Sequence, residues 1–250
     1  MLSPILLAAC ATGTSVVFVA SGDFVILAAD GIVKHTSRLG TGTTGFGQDC
    51  KILKQGNIFY AASGEYSIPD LQFDLKSIAR SAILKAGTVR NIYTPIEMPI
   101  LARLDAIARY SKTASPTEYA KWIKGVPVIS IGFASFEDNA PTVAVVEFLV
   151  DAQGTSAPSR KNTFRGVPGR IQLAALGWNA EIMAASDPPA WDQRFLANPI
   201  STVQSLIQRE IEASKREKRY DVGLPISIAR ISRNFSGWVP GYEGACRAGR

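Results

Sequence analysis

The chain has 250 residues, 46% hydrophobic and 19% charged, with a formal net charge of +6 and a pI near 9.3. That length and apolar content suffice for the core of one domain, so disorder is not the default. The positive charge permits contact with nucleic acid, but the basic residues are scattered and lack interleaved aromatics on which bases could stack, so no nucleic-acid partner is expected.

Residues 1–11 form a short apolar run ending in small residues. It resembles the back half of a signal peptide without its basic front, and Leu7-Ala8-Ala9-Cys10 resembles a lipoprotein processing box. A propeptide ending at Gly13 is the rival reading. Export to the periplasm is slightly favoured over a cytoplasmic location. Elsewhere no apolar run approaches the ~20 residues of a spanning helix.

Residues 15–20 and 24–29 are two β-branched, apolar runs of strand length, and Ser21-Gly22-Asp23 supplies the turn between them. The hairpin brings its ends together, placing Thr14 beside Asp30. A short strand at 32–36 and a Gly/Thr-rich loop at 40–47 follow. That loop lacks the Gly-Lys-Ser/Thr ending of a phosphate-binding loop. Strands at 50–54 and 57–62 are joined by Gln55-Gly56.

The period then changes. Leu71, Leu75, Ile78, Ala79 and Ala82 predict a helix over 69–86. Ile100, Leu101, Leu104, Ile107 and Ala108 predict a second, started by Pro99, with a short third near 118–123. Residues 126–136 and 142–150 read as a hairpin closed by the turn at 137–141, and 151–161 as a polar loop. Residues 171–184 look helical. Pro188-Pro189 breaks that run before an amphipathic helix that ends in the basic stretch 215–219, where cations favour a helix C-terminus. A last strand at 225–231 precedes a Gly/Arg-rich tail.

Strands, helices, strands, helices and a final strand predict an α+β fold of two stacked antiparallel sheets with helices on both outer faces, a four-layer αββα sandwich. The domain limits are 14–232, with 1–13 as propeptide or signal-like segment and 233–250 as tail. Cys10, Cys50 and Cys246 are widely spaced and form no C-x-x-C pair, so neither a disulfide framework nor a zinc site is expected. His35, the single histidine, excludes multi-histidine metal sites and lacks the G-x-S-x-G elbow of a Ser-His-Asp hydrolase. It reads as a surface residue, and neither metal nor cofactor is expected.

Residues 13–64 resemble the opening of the proteasome-type N-terminal-nucleophile hydrolases, which include the proteasome β-subunits and the bacterial proteasome-like peptidase subunit. The resemblance is carried by Gly13-Thr14, by Ala28-Ala29-Asp30 at the end of the second strand, by Cys50-Lys51-Ile52-Leu53 and by Ala61-Ala62-Ser63-Gly64. It implies cleavage after Gly13, Thr14 as nucleophile with its freed amine as base, Asp30 and Lys51 as activating pair, and Gly64 in the oxyanion hole. It also implies peptide or protein substrates, a homo-oligomer, and a pocket lined by Asp49, Leu53 and Ala62 that suits a basic side chain. Three departures accompany it: Val167-Pro168-Gly169-Arg170 carries no serine where the family has one, Asp221 is off register for the family's late aspartate, and the connection from Asp30 to Lys51 is longer than the family's. Taken alone, Thr14 is also an ordinary strand threonine, Lys51 a solvated lysine and Gly64 a turn glycine. A non-catalytic scaffold or binding protein is therefore the second hypothesis and a basic nucleic-acid binder the third.

Overall fold

In the computed structural model, which describes residues 14–35, 45–177, 179–186, 190–219 and 221–249, burial on both faces organises the opening hairpin. β1 (Ser15–Ala20) and β2 (Phe24–Ala29) pair antiparallel, and Ser21 N–H donates to Phe24 O (2.9 Å) across the turn. Val16, Phe18, Val25 and Leu27 face a second sheet, while Val17, Val19, Ile26 and Ala28 face helices. A strand buried on both faces requires apolar residues at every position, as these runs have.

β3 (Ile32–His35) and β4 (Gly45–Gln48) form a small ribbon, so the end of the expected Gly/Thr loop is a strand. β5 (Leu53–Gln55) and β6 (Ile58–Gly64) follow. β7 (Ser67–Ile68) and β8 (Phe73–Asp74) then pair across a 3-10 turn at Pro69–Leu71. The first helix, α1 (Leu75–Ala86), therefore starts later than its apolar spacing predicts. Asp74 caps it by accepting Lys76 N–H at 3.0 Å, and Gly87 closes it at φ +68°. α2 (Tyr93–Ala114) begins six residues before Pro99, which sits inside it and leaves the Pro95 carbonyl without its helical donor. α3 (Pro116–Trp122) completes the first helical layer.

β9 (Ile129–Glu137) and β10 (Ala140–Phe148) form the second hairpin, with Asp138 and Asn139 both at positive φ in its two-residue turn. β11 (Arg160–Arg165) replaces the end of the expected polar loop. The run 171–184, expected as one helix, is β12 (Gln172–Gly177) followed by the short α4 (Ala180–Ala185). α5 (Ala190–Ala197), α6 (Pro199–Arg216), β13 (Ser227–Ser232) and β14 (Phe235–Trp238) end the series.

One sheet has the order β12-β1-β2-β13-β14 and the other β11-β10-β9-β6-β5. Their facing sides form one core around Phe18, Leu27, Phe59 and Val145. A second core lies between the β9 sheet and α1–α3, and a third between the β1 sheet and α4–α6. The molecule is a four-layer α+β sandwich, as expected. The layers approach closely enough that a Cβ on Gly132 would lie 2.5 Å from the Phe18 ring.

Residues 233–250, expected as a tail, contribute β14 to the sheet edge, and Ile228 N–H donates to Tyr242 O at 2.8 Å. The cysteine reading is also corrected, because Cys50 and Cys246 form a disulfide across 196 positions of sequence. No described helix is long and apolar enough to cross a membrane.

Candidate active site

The hairpin sets Thr14 and Asp30 side by side because β1 and β2 are equal in length and joined by a tight turn. Ser15 N–H donates to Asp30 Oδ1 (2.8 Å), and Asp30 N–H donates back to Ser15 O (3.1 Å). Lys51 approaches on the segment before β5, not on the strand expected for it, and its ammonium donates to the same Asp30 Oδ1 at 2.8 Å. Asp30 Oδ2 accepts from Ile32 N–H and Gly223 N–H, each at 3.1 Å. One carboxylate thus ties together β1, the start of β3, the segment before β5 and the loop before β13.

Asp30 is 1% exposed and Lys51 3%. Burial pushes the Lys51 ammonium below the ordinary lysine range, against the pull of Asp30 and, more weakly, of Asp221 and Asp49. Burial likewise raises Asp30, opposed by Lys51 and by the Ser15 and Gly223 N–H groups. Asp221 is itself held by Ser214 Oγ (3.1 Å) and Arg219 Nη1 (3.3 Å).

Thr14 is 6% exposed, and the β1–β12 register places it at the Gly177 end of β12. Gly177 has φ +76°, and a Cβ there would sit 1.9 Å from Thr14 O and 3.3 Å from Ser63 Cβ. Thr14 therefore meets the end of β6, where Ser63 and Gly64 lie. Gly64 has φ +95°, and a Cβ on it would lie 2.1 Å from Val128 O, so no other residue fits. Thr14, Asp30, Lys51 and Gly64 are thereby gathered at one end of the space between the sheets. Gly13 lies outside the described residues.

The three pocket residues occupy different surroundings. Ala62 and Leu53 pack into the core toward α1 and α2, and the Ala62 carbonyl accepts from the Tyr66 hydroxyl at 2.8 Å. The Asp49 carboxylate is paired with Lys76 of α1 at 2.6 Å, which offsets the negative charge expected to attract a basic side chain. Residues 167–170 lie at the far end of β1 from Thr14: β12 pairs Gln172 with Ala20, and a Cβ on Gly22 would touch Pro168 at 2.7 Å. β12 meets Thr14 at Gly177, a residue that carries no hydroxyl. Sequence reasoning missed Gly177 because a glycine ending an apolar run reads as a helix position as readily as a strand end. Among the described residues no group of three or more His, Cys, Asp or Glu is placed to hold a metal ion.

No family model matches the sequence, and no curated protein matches it. Among solved structures, the Anbu (Gly-1) mutant from Hyphomicrobium sp. strain MC1 is similar over 91% of this chain and 86% of its own, with 12% identity and a TM-score of 0.44. The expected assignment to the proteasome-type N-terminal-nucleophile hydrolases is corrected accordingly. With no family model matched, a likeness of that depth transfers neither a family nor an activity to this chain.

Proposed function

We propose that the protein hydrolyses peptide or other amide bonds with Thr14 as its nucleophile. The observation that carries this reading is the shared acceptor: Ser15 N–H and Lys51 Nζ converge on Asp30 Oδ1, which fixes a buried lysine next to the residue that follows Thr14. A threonine hydroxyl needs a base beside it, and a freed Thr14 amine, with a reference pKa of roughly 8, is one. In this reading Gly13 is removed and the amine takes the hydroxyl proton as Thr14 Oγ bonds to the substrate carbonyl carbon. The amine then gives that proton to the leaving nitrogen as the C–N bond breaks. Water hydrolyses the resulting ester and regenerates the hydroxyl. The Lys51 charge lowers the amine's proton affinity, Asp30 holds Lys51, and the Gly64 N–H group serves the oxyanion.

The second reading, a non-catalytic scaffold or binding protein, is favoured by the end of β12 at Gly177, which offers no hydroxyl at the Thr14 end. A labelled β-lactone separates the two readings. Intact mass should show loss of residues 1–13 and one adduct on Thr14, and Thr14→Ala should lower turnover by about 10^4-fold or more. An unlabelled, inert wild type that retains Gly13 would sink the hydrolase.

Two accompanying assignments belong to this proposal. Export to an oxidising compartment is supported by the Cys50–Cys246 disulfide. Assembly into a homo-oligomer is supported by Leu84 on α1 and Met98 on α2, large apolar side chains that are 71% and 66% exposed. Light scattering at micromolar concentration decides the latter.

A further inference from the structure

The sheet facing Thr14 carries a row of buried polar side chains that the mechanism above does not use. Ser63 on β6 stands directly opposite Ser130 on β9, Ser130 opposite Glu147 on β10, and Glu147 opposite Arg160 on β11. All four belong to the face turned toward β1. Phe59 and Ala61 share that side with Ser63, Ala134 shares it with Ser130, and Val143 and Val145 share it with Glu147. The row crosses four neighbouring strands and ends at the β11 edge.

Ser63, Ser130 and Glu147 are 0%, 0% and 1% exposed. Yet among the described residues Ser63 Oγ, Ser130 Oγ and both Glu147 carboxylate oxygens have no hydrogen-bond partner, and Arg160 Nη1 approaches Glu147 Oε2 only to 3.8 Å. Buried polar groups are seldom left so, because the desolvation of each is then uncompensated. Directly opposed residues on antiparallel strands have Cβ atoms roughly 5 Å apart, within reach of one another through small rotamer changes. Burial raises the Glu147 carboxyl above its ordinary range, with Arg160 opposing, which favours the protonated form that can donate. The inner end of the row abuts the site, since the Ser63 side chain and the Thr14 carbonyl both press on Gly177.

We propose that Ser63 is a positioning residue for the Thr14 amine, held in orientation by a hydrogen-bonded line in which the Glu147 carboxyl donates to Ser130 and Ser130 donates to Ser63. Ser63 Oγ then accepts from the freed amine and fixes it against the Thr14 hydroxyl, supplying from the opposite sheet the hydroxyl that β12 does not provide. The charged groups around this amine are Lys51 and Asp30, with Asp221 and Asp49 acting on Lys51. The role rests on the proposed Thr14 hydrolase, whereas the line itself does not.

The test has two arms on the full-length chain. The first reads the protonated-carboxyl infrared band that Glu147→Gln removes. It should shift in Ser130→Ala, in the wild type and equally in Thr14→Ala, where no catalysis is possible; an unresponsive band overturns the line. The second compares Ser63→Ala with Ser63→Thr in amide hydrolysis. Ser63→Ala should lower kcat about 10- to 100-fold, the loss of one charge-assisted hydrogen bond, leave KM nearly unchanged and move the pH limb belonging to the amine. Ser63→Thr should restore both. If Ser63→Ala keeps the wild-type kcat and pH profile, the positioning role is wrong. A wild type that neither labels nor turns over, while the band still responds to Ser130→Ala, removes the Thr14 hydrolase and this role together and leaves the line as a structural feature.

Discussion

Asp30 and Glu147 are both carboxylates with almost no exposed surface, one on each sheet at the same end of the sandwich, yet their surroundings are opposite. Asp30 receives four donors, the Ser15, Ile32 and Gly223 N–H groups and the Lys51 ammonium. Among the described residues Glu147 has no hydrogen-bond donor on either oxygen, and Arg160 stands 3.8 Å away. Burying an ion is tolerable where its lone pairs are satisfied and otherwise drives the group toward its neutral form. Burial raises both carboxyls, so the difference lies in their partners: the Asp30 lone pairs are satisfied and hold Lys51, whereas those of Glu147 are not.

This contrast predicts unequal costs on removal. Asp30→Ala strands Lys51 inside the protein and releases three main-chain donors, so it should destabilise by about 3–5 kcal/mol in urea denaturation. Glu147→Gln keeps the volume and replaces a carboxyl that is already pushed toward neutrality, so its effect should stay within about 1 kcal/mol. Equal costs for the two would break the comparison and mean that Glu147 is ionised and paired in solution.

The Asp30 side of the molecule carries a second tie. The disulfide joins Cys50, the residue before Lys51, to Cys246 beyond β14. Cys50→Ser with Cys246→Ser should cost about 2–4 kcal/mol, since a cross-link this long mainly restricts the unfolded chain. Because Lys51 is also anchored by Asp30, the double variant should lose stability while keeping most of its probe labelling per folded molecule. A loss of labelling far larger than the loss of folded protein would show that the disulfide, more than Asp30, sets the position of Lys51.

How much of this was legible in the sequence follows from how local the signals are. The opening hairpin, Asp30 at its end and the Asp138-Asn139 turn are written in adjacent residues, and the structure reproduces them. The start of α2 was misread because Pro99 looks like a helix start, whereas the core contact of Ile96 draws the helix back to Tyr93. β12 was misread because Leu173, Ala174, Ala175 and Leu176 suit a buried strand and a buried helix equally, and only pairing with β1 decides between them. The Cys50–Cys246 bond and the Ser63–Ser130–Glu147 row depend on which strands become neighbours. No spacing in the sequence encodes that.

Glu65 tests the same principle where burial is incomplete. It follows Gly64, is half-buried, and its carboxyl is pushed up to about 7, first by burial and then by the nearby Glu118. The folded state thus holds the proton more tightly than the unfolded chain, whose value is near 4.5. The stability this contributes is fully present below about pH 4.5 and is lost as the pH rises through about 7. The full shift would amount to roughly 3 kcal/mol, and partial exposure reduces the expectation to about 1–2 kcal/mol. Glu65→Gln removes the titration, so between pH 4.5 and roughly pH 8 the wild type should lose about 1–2 kcal/mol relative to the variant, read from paired urea curves. Parallel stability profiles would mean that water reaches Glu65 freely, and a carboxylate next to Gly64 would then remain charged, beside the site, at neutral pH.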